Sequence, residues 1–563
     1  MTDMLVETNV PARMRDGVTL YADVYRPAGP GQYPVLLCRT PYGKQGVAPI
    51  NPLRAIGAGY VLIVQDCRGT GASEGHFAWF AQLPQEGPDG YDAVEWAASL
   101  PYASGPVGMV GGSYVGWTQH AAAMQHPPHL HAIAPMMTWA DAAEGLCYRG
   151  GAFELGVDLA WYLLMALAAE PRRLTAAGAS AEQIAAVTGA ITAASDRLCT
   201  DGYQETPLRD LQSPQPAGLS ATVRHLLDPG PGGLPKGMSV DLSQIKVPAL
   251  YLGGWYDIFC QATLDSFAAL RRHGQAARLL VGPWTHGNMS SSHGELDFGR
   301  ASALPSLDPD GLQLRWFDRW LKGLDNGVDR EPPVRVFVTG ENRWRELPGW
   351  PPAETQESRL YLHAGGRLEA AAPPGDGGAS RSLYDPAHPA PTVGGATLLP
   401  GVYPPGVRDQ RSLSARADVL TFSGKPLQSP LTVLGRVTAN LCISSTAPDT
   451  DFVVRLIDVH PGGYMQNLCD GILRARYRAS RCEPQWLEPG VVYQLPVDLW
   501  STGHVFRAGH RVAVQVTSAS FPRWDRNWNT VEDPGAAVSG QKAEQTVWHD
   551  AAHPSHVVLP VVG

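Results

Sequence analysis

Ser113 lies in Val107-Gly-Met-Val-Gly-Gly-Ser-Tyr-Val-Gly116, where an apolar run enters a glycine-rich turn and then a helical stretch. A serine at such a strand–turn–helix corner presents its hydroxyl above a sheet, and the crowded backbone there requires small neighbours. The spacing is G-x-S-x-x-G, one place longer than the common G-x-S-x-G, and a plain glycine-rich turn would look the same in isolation. A serine hydroxyl is a weak nucleophile that needs a base, and the base needs an orienting acid. Downstream, Asp257 ends Gly253-Gly-Trp-Tyr-Asp257 and His286 ends Gly282-Pro-Trp-Thr-His286, giving the order Ser, Asp, His. Taken singly, Asp257 reads as an N-cap and His286 as a surface imidazole, and His293 is a rival base seven residues on. Taken together they suit acyl transfer. The Tyr114 amide, next to the nucleophile, supplies one oxyanion donor. The hydroxyl of Tyr42, in Arg39-Thr-Pro-Tyr42-Gly-Lys44, is the candidate second donor, although local sequence alone favours a tyrosine packed in a Pro-Gly turn.

These groups need a sheet edge to converge on. Val35–Cys38, Tyr60–Gln65, Val107–Val110, Ala132–Met137, Ala249–Gly253 and Leu279–Val281 read as parallel strands covered on both faces. Helical spacing over Asp89–Leu100, Leu264–Arg272 and Leu314–Leu321 alternates with them, which predicts a doubly wound, mostly parallel α/β sheet. Ser113, Asp257 and His286 then all follow carboxyl ends of strands, where ligands of such sheets bind. The Ala-rich stretch 143–242 interrupts the pattern with helices at Leu159–Glu170 and Ala181–Ser195 and the Pro/Gly segment Asp228–Gly237. It is expected to be a helical cap over that edge. Beyond Trp350 the alternation of Val492–Trp500 and Arg511–Thr517 predicts an antiparallel β-sandwich, with Ala364–Arg381 as a low-complexity loop. The expected units are an α/β domain of residues 1–142 and 243–350, a cap of 143–242 and a sandwich of 351–563.

Composition narrows the classes. The 563 residues include 61 Gly and 49 Pro, about one residue in five, dispersed between apolar runs as turns rather than gathered in one tract. Charged residues are only 17% and the net charge is −9, with no basic stripe, so no nucleic-acid partner is expected. No apolar leader opens the chain, and the longest apolar helix candidate, Leu159–Ala169, is half a membrane span, so no membrane partner is expected. Eight scattered cysteines without C-x-x-C or other metal spacing read as buried thiols of a reducing, cytoplasmic compartment. No metal and no organic cofactor is called for.

The motifs resemble a known family. Arg39-Thr-Pro-Tyr-Gly-Lys44, Gln65-Asp-Cys-Arg-Gly-Thr-Gly-Ala-Ser-Glu-Gly75, the Ser113 turn and the Asp257 and His286 motifs together resemble the cocaine esterase/X-Pro dipeptidyl-peptidase family of serine hydrolases. So do Tyr384-Asp-Pro-Ala-His-Pro-Ala-Pro-Thr-Val-Gly-Gly395, Asp409-Gln-Arg411 and Phe521-Pro-Arg-Trp-Asp-Arg-Asn527. The resemblance implies an α/β-hydrolase core, a helical cap and a C-terminal jelly-roll β-sandwich. It further implies that Ser113, Asp257 and His286 form a triad and that Tyr42 and the Tyr114 amide form the oxyanion hole. A homodimer is an expectation from the resemblance alone.

Substrate is read from aromatics near the motifs and in the cap: Trp139, Trp161, Tyr162, Trp255, Phe259 and Trp284. As a set they suggest an apolar or aromatic acyl group on a small ester or amide. Phe259 is similar in position to an acyl-pocket aromatic of cocaine esterases. The related α-amino acid ester hydrolases read a substrate ammonium with carboxylates, including an adjacent acidic pair before the aspartate strand. Leu227–Asp241 here has no such pair; Glu154 and Asp158, four apart on a cap helix, could substitute for it, but the expectation is that they lie on an ordinary solvated helix face. Two further readings stay open: an acyltransferase or peptidase-like relative acting on α-amino acyl substrates, and a non-catalytic protein whose sandwich binds a sugar or peptide.

Overall fold

The computed structural model describes residues 3–77, 83–208, 239–376 and 378–563, except the side chains of 83 and 84. The Pro/Gly segment Asp228–Gly237 and most of Leu227–Asp241 therefore lie outside the described residues.

Ten strands form the first sheet, numbered along the chain as β1 Met4–Arg13, β2 Thr19–Pro27, β3 Tyr33–Thr40, β4 Val61–Asp66, β5 Ala103–Gly112, β6 Leu130–Met136, β7 Ala249–Tyr256, β8 Ala277–Thr285, β9 Val334–Val338 and β10 Arg343–Leu347. Their spatial order is β1-β2-β4-β3-β5-β6-β7-β8-β9-β10. Strands β3 to β9 pair in parallel, while β1–β2, β2–β4 and β9–β10 are antiparallel edges. The apolar runs are explained by burial on both faces. Odd-numbered Val35, Leu37, Val107, Leu279 and Val281 enter one core layer, and even-numbered Leu36, Leu62, Val110, Leu252 and Leu280 enter the other.

Helices α1 Pro52–Gly57, α2 Leu83–Ala98, α3 Tyr114–Ala123, α4 Leu155–Ala176, α5 Ala181–Leu198, α6 Cys260–Arg272 and α7 Pro309–Leu321 follow in order. α2 and α3 pack together over β3 and β5, while α7 covers β5 and β6 from the opposite side with Trp316, Phe317 and Leu321. α4 and α5 pack on each other in the stretch between β6 and β7. Ser180 caps α5 in a reciprocal capping box with Gln183. Among the described residues no helix is long and apolar enough to cross a membrane.

After β10 the chain enters the second sheet system at Gln356–His363. The long strands β11 Leu431–Ser445, β12 Asp451–Val459, β13 Tyr493–Phe506 and β14 Arg511–Thr517 carry its core, in which Leu441, Val454, Leu495 and Val514 are fully buried. This is the expected β-sandwich. The stretch read as a low-complexity loop, Ala364–Arg381, contributes the short strand Arg367–Glu369 and the start of Ala379–Tyr384. Strands β1 and β2 at one end of the sheet, and β9 and β10 at the other, have no counterpart among the strands expected from sequence; β1 and β2 have a half-buried pattern without a long apolar run.

Candidate active site

Strand β5 ends at Gly112 and α3 begins at Tyr114, so Ser113 alone makes the corner, at φ 61° and ψ −130°. That left-handed conformation is costly for a residue with a side chain and persists only where the surroundings enforce it. Here the Ser113 amide donates to the Met136 carbonyl at 2.9 Å, and the Thr138 hydroxyl donates to the Ser113 carbonyl at 2.8 Å. Gly111 has φ +136°, and a Cβ there would stand 2.2 Å from Val115 Cγ1. At Gly116 a Cβ would stand 2.8 Å from Thr138 Cβ. The late final glycine thus has a physical reason: the first turn of α3 packs onto the chain leaving β6.

Asp257 follows β7, is fully buried, and accepts the Phe259 amide on Oδ1 at 2.8 Å. Its Oδ2 lies 2.6 Å from Nδ1 of His286, which follows β8. Nε2 of the same imidazole lies 3.1 Å from Ser113 Oγ. His286 and Ser113 are partly exposed, so the chain of contacts runs from a dry carboxylate to an accessible hydroxyl. His293, the rival base, is instead buried, with Nε2 against the Ser290 carbonyl at 2.8 Å and Phe298 beside its ring.

Tyr42 stands on the loop after β3. Its hydroxyl is in hydrogen-bonding contact with Ser113 and takes the Trp161 indole N–H of α4 at 3.2 Å. Burial pushes its phenol pKa up despite those two bonds. The motif residues around it are structural. Lys44 Nζ meets Asp66 Oδ2 at 2.9 Å, and Asp66 also accepts the Lys44 and Ala72 amides at 2.7 and 2.8 Å. Arg39, fully buried at the end of β3, meets Glu86 of α2 at 2.6 Å and Gln65 at 3.0 Å. These ion pairs fix the loop that carries Tyr42.

Aromatics line the corner. The Phe259 ring meets His286 edge-on with centroids 5.3 Å apart, and Trp139 lies 4.6 Å from Phe259. Trp161 stacks on Tyr114 at 6.1 Å, and Trp117, one turn along α3 and not singled out from sequence, stacks on Trp139 at 6.2 Å. Tyr162 is buried on α4, with the Glu170 carboxylate nearby.

Two of the six aromatics read as substrate-binding are corrected. The Trp284 ring is fully buried in the layer beneath α7, with Nε1 donating to the Ser302 carbonyl at 2.8 Å. Trp255 is buried under the sandwich, with Nε1 donating to the Phe337 carbonyl at 2.6 Å and its ring against Trp350 and Gly503. The expected solvated face of α4 is also corrected. Glu154 is buried, 3.0 Å from Arg149 and bonded by the Trp524 indole at 2.9 Å. Asp158, 3% exposed, has no hydrogen-bond partner on either oxygen among the described residues, and burial holds its carboxyl well above the usual range.

Known proteins share this arrangement of domains. The X-Pro dipeptidyl-peptidase (S15 family) pattern matches residues 16–288, and the X-Pro dipeptidyl-peptidase C-terminal non-catalytic domain matches residues 326–558. The chain is 36% identical to a cocaine esterase of Rhodococcus sp. (strain MB1 Bresler), over 99% of this chain and 98% of that one. An α-amino acid ester hydrolase superposes with a TM-score of 0.77 at 28% identity, covering 100% of this chain and 97% of the other. An aminopeptidase from the marine-sediment archaeon Thaumarchaeota archaeon superposes with a TM-score of 0.78 at 26% identity, with the same coverage. With both halves matched and the cocaine esterase aligned end to end, the chain belongs to the cocaine esterase/X-Pro dipeptidyl-peptidase family of serine hydrolases.

Proposed function

We propose that the protein hydrolyses small carboxylic esters, and the corresponding activated amides, through an acyl-enzyme on Ser113. One observation carries the reading: the continuous line Asp257–His286–Ser113, with contacts of 2.6 and 3.1 Å, ending on a serine in a strained left-handed corner. His286 Nε2 takes the Ser113 proton as Oγ attacks the acyl carbonyl, and Asp257 holds the imidazole tautomer and stabilises its charged form. The Tyr42 hydroxyl and the Tyr114 amide, at the first turn of α3, receive the developing oxyanion. His286 then returns the proton to the leaving group, and water resolves the ester on Ser113 by the same steps reversed. Phe259, Trp139 and Trp161 form the acyl wall, which suits an apolar or aromatic acyl group. All eight cysteines are free thiols, which supports residence in a reducing compartment. Turnover of p-nitrophenyl phenylacetate by Ser113→Ala tests the reading: activity is expected to fall by about 10⁶-fold, and unchanged turnover would remove Ser113 from the mechanism.

A second reading has one observation in its favour. Asp158 sits one helical turn before Trp161 on α4, buried and without a hydrogen-bond partner among the described residues. A carboxyl left unpaired in an apolar setting suits a cationic ligand group, as in α-amino acyl substrates. Phenylglycyl and phenylacetyl esters differ by one ammonium, so their kcat/KM ratio decides between the readings. The first expects phenylacetyl to be preferred, and the second expects phenylglycyl.

A further inference from the structure

The seam between the two sheet systems contains a second cluster of reactive side chains. Strand β12 ends in Asp458 and Val459, followed by His460, and β14 begins at Arg511, preceded by His510. The antiparallel register pairs Val459 with Arg511, so His460 and His510 face each other one step beyond the ladder. Residues two apart along a strand share a face, which brings Asp458 to the same side as His460. The result is a carboxylate oxygen and two imidazole nitrogens within 4.8 Å of one another.

The distances suit a small cation. His510 Nδ1 stands 2.9 Å from Asp458 Oδ2, and His460 Nε2 stands 3.7 Å from the same oxygen. Tetrahedral ligands at about 2.0–2.1 Å from a zinc ion are separated by about 3.3 Å, between those two values. Asp458 is 1% exposed and is fixed from behind by His504, whose Nε2 lies 3.1 Å from Oδ2 and whose Nδ1 lies 2.8 Å from the Thr339 hydroxyl. An outer partner of that kind orients a ligating carboxylate. His460 and His510 are only partly buried, and they open with Asp458 onto a cavity of about 180 Å³ lined also by Gln466, Asp297 and Asn342. The cavity gives the ion an entry path and room for a water as fourth ligand.

We propose that Asp458, His460 and His510 bind a divalent cation of the zinc type. Two imidazoles and one carboxylate are the donor set that zinc favours over calcium or magnesium. On binding, the cation replaces any protons on His460 Nε2 and His510 Nδ1, which leave to solvent. The site is structural. Its three ligands join the ends of β12 and β14, so the ion ties those two strands together, while Phe298 and Gly340 from the other half of the chain only line the cavity.

The test uses the full chain, stripped with a chelator and titrated with zinc chloride by calorimetry. One zinc per chain is expected, together with a rise in Tm of a few degrees at about 100-fold excess over Kd. Cobalt(II) in place of zinc should give the intense visible bands of a tetrahedral site. His460→Ala should weaken binding at least 10-fold while leaving the chelator-treated Tm and ester turnover unchanged. His510→Ala should do the same to binding, and His388→Ala, an exposed histidine elsewhere, should not. Failure to bind zinc below about 1 mM, or binding that survives the His460→Ala/His510→Ala double variant, overturns the proposal.

Discussion

Tyr42→Phe removes one hydroxyl from the reacting corner and little else. In the resting structure that oxygen touches Ser113 and accepts the Trp161 indole N–H at 3.2 Å. Because the indole is the donor in that bond, the phenolic proton is free to serve the Ser113 contact at rest and, in the proposed mechanism, the oxyanion during acylation. Removing one oxyanion donor costs about 10²- to 10³-fold in kcat, or about 2.7–4 kcal/mol of transition-state stabilisation. The loop itself should hold, since Lys44–Asp66 and Arg39–Glu86 fix it on either side. The Trp161 N–H left behind is on a partly exposed side chain, so water can replace its partner at small cost. Steady-state kinetics on p-nitrophenyl phenylacetate should therefore show kcat down about 100-fold or more, KM within about threefold, and an unchanged Tm. Trp161→Phe alone should lower kcat less, and the double variant should be no worse than Tyr42→Phe by more than a factor of about two, because the indole acts through the phenol. Burial raises the Tyr42 pKa, so the phenol stays protonated and both enzymes should keep the same pH–rate shape up to about pH 9. A Tyr42→Phe enzyme with kcat within threefold of the parent refutes the assignment of Tyr42 to the oxyanion hole.

Other outcomes are equally specific. Asp257→Asn should leave a folded protein with kcat down about 10⁴-fold, because the amide would favour the wrong imidazole tautomer, read by the same ester assay. Asp158→Leu should raise stability by about 1–3 kcal/mol at pH 8 in urea unfolding. The folded carboxyl has a raised pKa, so it disfavours the native state only as pH climbs above the unfolded value near 3.9. The gain should therefore shrink toward zero below about pH 4, and a pH-independent gain would contradict the buried-acid account. Glu86→Gln strands Arg39 in the core and should destabilise by about 3–5 kcal/mol, whereas a loss under 1 kcal/mol would mean that water reaches the guanidinium.

Much of the Ser113–His286–Asp257 arrangement was legible because its elements are local. Val107–Val110, Ala249–Gly253 and Leu279–Val281 are continuous apolar runs, and each is followed within a few residues by the side chain that matters. Side-chain direction and distance along the chain hid the rest. Trp284 sits two residues from His286, yet period-two alternation from Leu280 turns it to the face under α7. Glu154 and Asp158 have helical spacing on a charged-looking face, but the Phe521–Asn527 loop, far along the chain, covers that face: Trp524 bonds Glu154 directly, and the Gly156 amide donates to the Arg523 carbonyl. Trp117 has no motif of its own and becomes part of the wall only because α3 turns it toward Trp139. The Asp458–His460–His510 cluster joins residues some fifty positions apart, and only strand register brings them together.

Trapping the covalent intermediate tests the central claim most directly. The protein, mixed in excess over a slowly deacylating activated ester and quenched in acid, can be weighed intact and mapped by peptide. One acyl group per chain on Ser113 is predicted, with a matching burst of leaving group and none in Ser113→Ala. A full burst from Ser113→Ala, or an adduct mapped to another residue, would contradict the account.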